Sequence, residues 1–114
     1  MKEFLLVFRN EQQNMPAMRS PEEMQDLMKQ WMDWIGGIAA QDKLVSRGNR
    51  LAMDGKVLRA GNVVTDGPYA ELKEIVGGYV MVRAVSYDDA IDLAKGCPIF
   101  SIGGNIEIRQ VIEA

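Results

Sequence analysis

The sequence predicts an α+β domain on the ferredoxin-like β-α-β-β-α-β plan, with an antiparallel sheet, both helices on one face and a hairpin or strand inserted in the middle. Three observations predict it. Two helix-start signals, Ser20-Pro21-Glu22-Glu23 and Ser86-Tyr87-Asp88-Asp89, each open an amphipathic stretch. Around them lie β-type runs, in the order strand, long helix, hairpin with an extra segment, strand, short helix, strand. The length of 114 residues suits one domain, taken as residues 1–114.

Each element has a local reason. Lys2–Arg9 (KEFLLVFR) is a strand whose centre, Phe4 to Phe8, is wholly apolar. Residues 10–20 are polar with Met15-Pro16 and read as a loop. Ser20 can cap the first helix, Pro21 fits its first position, and Glu23 can return a bond as in a capping box. Met24, Leu27, Met28, Trp31, Trp34, Ile35 and Ile38 follow at spacings of three and four, one apolar stripe. Gly36-Gly37 is expected to weaken this helix or to let its last turn approach a neighbour closely.

Leu44–Met53 and Lys56–Ala60 flank Asp54-Gly55, a hairpin signal because a type I′ turn needs positive φ at both central residues. Asn62–Thr65 adds an extended segment, and Leu72–Val76 reads as a loop or one helical turn. Gly77-Gly78 opens the strand Tyr79–Val85, and Ser86 caps a short helix that Gly96-Cys97-Pro98 stops. Gly103-Gly104 leads into the last strand, Asn105–Ile112.

A sheet with one wet face alternates apolar and polar residues, and neither Phe4–Phe8 nor Tyr79–Val82 does. Both faces of these strands therefore carry apolar side chains, and a domain this small has no third layer to cover the second face. A second copy, sheet against sheet in a symmetric homodimer, is the expected cover.

Composition excludes several classes. Net charge is −3 with Lys and Arg scattered, which argues against a nucleic-acid or anionic-membrane footprint. With no long apolar span and no leader pattern, the chain reads as cytoplasmic. The lone Cys97 rules out an internal disulfide and a cysteine-cluster metal site. The absence of histidine removes the commonest general base and zinc ligand, so no metal or cofactor is expected. The glycine pairs do not form a dinucleotide-binding G-x-G-x-x-G after a strand.

Thr65-Asp66-Gly67-Pro68-Tyr69-Ala70-Glu71, Lys73-Glu74, Gly77-Gly78-Tyr79 and Ile106-Glu107-Ile108-Arg109 resemble the DGPF branch of the YCII-related proteins, as does the helix opening Ser20–Met24. The resemblance spans nearly the whole chain and implies a bacterial-type protein with the dimeric α/β-barrel fold, two ferredoxin-like sheets face to face around clefts. Activity is largely unassigned in that branch. Wider YCII-like proteins have been proposed as enzymes using a His in the first helix and an Asp before a Pro after the second. Here there is no His, and Cys97 precedes Pro98. That dyad does not transfer.

The candidate site residues are then Asp66 and Glu71 as carboxylate bases, and Arg50, Tyr69, Trp31 and Arg109 as ligand-binding residues. An apolar cleft raises a carboxylate's pKa toward a useful range, and arginine clamps carboxylates bidentately. Each has a plainer reading: Asp66-Gly67-Pro68 as a tight turn, Tyr69 as a packing anchor, Trp31 as core stripe and the arginines as solvated rim. Cys97, at a helix C-terminus with no histidine to deprotonate it, reads as a buried small apolar residue rather than a nucleophile. The functional expectation is a homodimer binding a small aromatic or apolar molecule in a cleft near the sheet-to-sheet interface. The alternatives are a cofactor-free lyase, isomerase or oxygenase using Asp66 or Glu71, and a purely structural or regulatory dimer.

Overall fold

The computed structural model describes residues 1–10, 20–67 and 75–113. In chain order these form β1 (Lys2–Asn10), α1 (Pro21–Ala40), β2 (Leu44–Ser46), β3 (Gly55–Arg59), β4 (Val63–Gly67), β5 (Ile75–Ala84), α2 (Tyr87–Ala94), a 3₁₀ turn (Pro98–Ile102) and β6 (Asn105–Gln110). The main sheet runs β2-β5-β1-β6, all antiparallel, and β3-β4 is a separate two-stranded ribbon. With the ribbon set aside, this is the ferredoxin-like α+β arrangement.

Strand pairing explains which side chains meet. β1 opposes β5 with Phe4 at Val82, Leu6 at Val80 and Phe8 at Gly78, and a bulge after Phe8 then sets Asn10 at Ile75. Phe4, Leu6, Phe8, Val80, Val82 and Ala84 all point to the helix side, where Ile38 of α1 and Ala90, Leu93 and Ala94 of α2 close over them. Phe4, Leu6 and Val82 have no exposed surface. Each such side chain contributes about 1.5–3 kcal/mol by leaving water, so this row is the main source of stability. Edge-to-face ring contacts join Phe8 to Trp31 at 4.9 Å and to Trp34 at 5.9 Å. The Trp34 indole also donates to the Leu93 carbonyl at 2.8 Å, tying α1 to α2.

Both predicted helix caps form. Ser20 Oγ accepts from the Glu23 backbone N–H at 3.2 Å, and Ser86 Oγ from Asp89 N–H at 3.2 Å. The Glu23 carboxylate returns to the Ser20 hydroxyl rather than to its backbone N–H. Asp89 goes further, accepting from Val85 N–H at 3.0 Å and from Lys43 Nζ at 3.0 Å. Those partners, the backbone donor first and then the ammonium, hold its carboxyl below the usual range.

Three expectations need correction. α1 runs without a break through Gly36-Gly37 to Ala40, and a Cβ on either glycine would meet nothing within 4 Å, so no close approach uses them. The hairpin does not turn at Asp54-Gly55. Gly55 begins β3, and the turn is Ala60-Gly61-Asn62, with φ of 80° at Gly61 and 62° at Asn62. Glycine and asparagine tolerate that left-handed region best, so the turn forms there. Finally, the Tyr79 strand begins earlier, at Ile75, with Gly77-Gly78 inside it, and β2 is short because its partner edge breaks register between Leu44 and Ser46.

The described residues fill a slab of 44 × 44 × 18 Å, one sheet under one layer of helices. The sheet's other face carries Leu5, Val7, Tyr79 and Met81, all half-buried, framed by the Arg9–Glu107 ion pair at 2.8 Å.

Candidate functional site

A trough of about 410 Å³ opens between the first turns of α1 and the segment Arg47–Met53. Its existence follows from the strand register. At Phe8 the facing residue of β5 is Gly78, so the sheet floor here lacks the side chain that Val80 and Val82 supply further along. Past β2 the chain runs alongside β5 again: Leu51 N–H donates to Gly77 O at 2.9 Å and Tyr79 N–H to Asn49 O at 3.2 Å. A Cβ on Gly78 would lie 2.8 Å from Asn49 O, so only glycine lets this wall stand so close to the floor.

The long wall is the stripe of α1: Met24, Leu27, Met28, Trp31 and Ile35. Phe8 and Val80 form the floor, and Ile99 and Ile102 from the 3₁₀ turn also line the space. Trp31 thus serves twice, stacked edge-on against Phe8 and Trp34 while presenting surface to the trough. Methionine side chains suit a wall that must adapt to a guest, because the thioether is flexible and polarizable. The volume lies at the lower end of the roughly 300–1,000 Å³ of small-molecule pockets.

Polar groups are few. Asn10, at the end of β1, lines the trough with only 5% of its surface exposed, and its side-chain Oδ1 has no hydrogen-bond partner. An unpaired buried amide oxygen costs about 1–3 kcal/mol unless something bonds to it. At the opposite wall stand Arg47 and Arg50, both exposed. Ion pairs among the described residues join Arg9 to Glu107, Lys43 to Asp89, Lys56 to Asp66 and Lys95 to Asp92, and none of them engages Arg47 or Arg50. No carboxylate appears among the described lining residues.

Of the residues singled out from sequence, Trp31 and Arg50 meet in the trough. Arg109 lies on β6 opposite Leu5, exposed on the far face of the sheet. Asp66 sits on the β3-β4 ribbon, paired with Lys56 Nζ at 2.5 Å, with its side chain 90% exposed. Neither lines the trough. Tyr69 and Glu71 fall outside the described residues. The trough lies on the helix side of the sheet. The glycine floor explains the trough: space appears where β5 lacks side chains under α1.

Asn10 and Arg47 line the trough without having been singled out from sequence, although the sequence held signals for both. Phe4, Leu6 and Phe8 fix which parity of β1 faces the helices, and Asn10 is the polar residue that continues it. Arg47-Gly48-Asn49-Arg50 places two cations around a turn-forming pair.

Cys97 is buried beside the core rather than in the trough, and burial pushes its thiol up from an ordinary 9.0 to about 12, only partly offset by the Ile99 backbone N–H. It is neutral at physiological pH and no nucleophile. Among the described residues no three Cys, Asp or Glu side chains converge on a metal position, and no helix is long and apolar enough to cross a membrane.

No curated protein matches the chain. The sequence model of the YCII-related domain matches residues 3–114, nearly the whole length, and the chain belongs to the YCII-related domain family.

Proposed function

We propose that this protein is a homodimer, sheet face against sheet face, in which each protomer binds a small aromatic or mostly apolar molecule in the trough beneath α1. The trough carries the binding half of this reading. A space of this volume, walled by Trp31, Phe8 and flexible methionines, excludes water from apolar surface only when a guest fills it. The half-buried Leu5, Val7, Tyr79 and Met81 on the outer face support the dimer half.

No base lines the described trough, and Asp66 points into solvent on the ribbon, so the reading is binding rather than proton abstraction by Asp66. Calorimetric titration with 2-naphthalenemethanol, a neutral two-ring probe, tests it. Saturable binding at one site per protomer is expected, weakened in Met28→Glu, which sets a charge on the apolar wall. Absence of binding, or binding indifferent to Met28→Glu, overturns the reading.

A further inference from the structure

We infer that the trough's ligand is an anion, an aromatic or alicyclic carboxylate whose charged group is held by Arg47 and Arg50. The inference rests on the trough being a binding site and goes on to assign the charge and chemical class of the guest.

The argument starts from what the trough lacks. Apart from these two arginines its described lining carries no ionic side chain, so no described lining residue balances their charge. Elsewhere the described chain pairs cations readily, with Arg9–Glu107 at 2.8 Å and Lys43–Asp89 at 3.0 Å. The whole molecule is anionic at −3, so its overall field does not attract an anion. Beyond a Debye length of roughly 8 Å that field is screened, whereas two guanidiniums at the mouth of an apolar space act at contact range and in a lower dielectric. A planar fork matches a carboxylate in geometry as well as in sign.

A second observation is independent of the arginines. The Asn10 Oδ1 is buried in the trough with no partner. A purely hydrocarbon guest leaves it unpaired, and a substituent that donates an O–H or N–H, such as a ring hydroxyl, satisfies it. The trough therefore asks for an amphipathic guest with rings against Trp31 and the methionines and polar groups at defined places. A plain apolar filler answers only part of the site.

The test compares 2-naphthoate with 2-naphthalenemethanol, similar in shape and different in charge, by isothermal titration calorimetry. With wild-type protein, naphthoate is expected to bind about 10- to 100-fold more tightly, the worth of a charge-assisted hydrogen-bonded contact. In the Arg47→Gln/Arg50→Gln double variant the ratio of the two affinities falls to about one, while an unchanged thermal midpoint shows that the fold is intact. As a check needing no variant, added sodium chloride weakens naphthoate and leaves the alcohol unaffected. Equal wild-type affinities, or a naphthoate preference that survives both the double substitution and salt, overturn the anion assignment and leave the binding reading standing. If neither probe binds, both fall together.

Discussion

At the residue scale, Asn10 is the most informative side chain. It occupies a core-facing position of β1, where strand parity calls for an apolar residue, and its Oδ1 is left unpartnered. Such a group costs stability in the empty protein and is repaid when a guest bonds to it. Asn10→Leu is therefore expected to raise the thermal midpoint at fixed protein concentration by about 4 °C, the equivalent of about 1 kcal/mol for a domain this size. The same substitution should reduce the affinity of 6-hydroxy-2-naphthoate by about fivefold relative to 2-naphthoate, one neutral hydrogen bond's worth. A variant that loses stability without changing this ratio would make Asn10 a fold residue only. Cys97 makes a different prediction. Its folded-state thiol titrates near 12 against 9.0 for an ordinary thiol, so above that lower value the unfolded chain releases a proton the folded chain keeps. Stability then falls as pH rises from about 9 toward 12, and the loss should be smaller in Cys97→Ala when urea midpoints of the two proteins are compared across that range. Cys97's burial was legible from its place after α2. Asn10 was legible in principle, from parity, yet parity alone says nothing about whether a polar core residue finds a partner.

At the scale of elements, the helices were legible because their signals are local. Ser20, Pro21 and the apolar stripe fix the start and the buried face of α1, and both caps form with the expected bonds. The glycines were harder, since one residue type serves three situations. Gly36 and Gly37 have open space around them, so Gly36→Ala and Gly37→Ala should each stabilise by about 0.5–1 kcal/mol in chemical denaturation, the entropy of helical glycine recovered at no steric cost. Gly61 supports the turn of the ribbon. Gly78 is the opposite of Gly36: a Cβ there meets the Asn49 carbonyl at 2.8 Å. Gly78→Ala should push the Asn49–Leu51 segment off β5, and hydrogen exchange at the Leu51 and Tyr79 amides should quicken while exchange at Phe4 and Val82 stays slow. Unchanged protection at Leu51 would mean that the wall of the trough does not depend on this glycine. No sequence pattern separates these glycines, because what differs is a neighbour distant along the chain. The hairpin expectation failed similarly: Asp54-Gly55 and Gly61-Asn62 both carry turn chemistry, and strand register decides between them.

At the scale of the whole molecule, the ferredoxin-like plan followed from the order of elements, and the apolar character of both faces of β1 and β5 pointed to a partner on the outer face. The proposed homodimer makes the simplest prediction. Light scattering after size-exclusion chromatography at micromolar concentration should give about 25 kDa, twice the chain's 12.7 kDa, and Val7→Arg on the outer face should shift the population toward monomer. The trough was not legible as a place. Its residues come from β1, α1, the Arg47–Met53 segment, β5 and the 3₁₀ turn, and only the register of Phe8 against Gly78 brings them around a shared space. Sequence reasoning named Asp66 and Glu71 as candidate bases beside Trp31 and Arg50 as ligand-binding residues; Trp31 and Arg50 line the trough, Asp66 is exposed on the ribbon, and Glu71 lies outside the described residues. The most direct test of the central claim is where a guest binds. Chemical-shift mapping of ¹⁵N-labelled protein titrated with 2-naphthoate should move the Trp31 indole, the Asn10 side-chain amide and the backbone amides of Arg50, Gly77 and Gly78. Shifts confined to Leu5, Val7 and Met81 on the outer face, or no shifts at saturating probe, would contradict it.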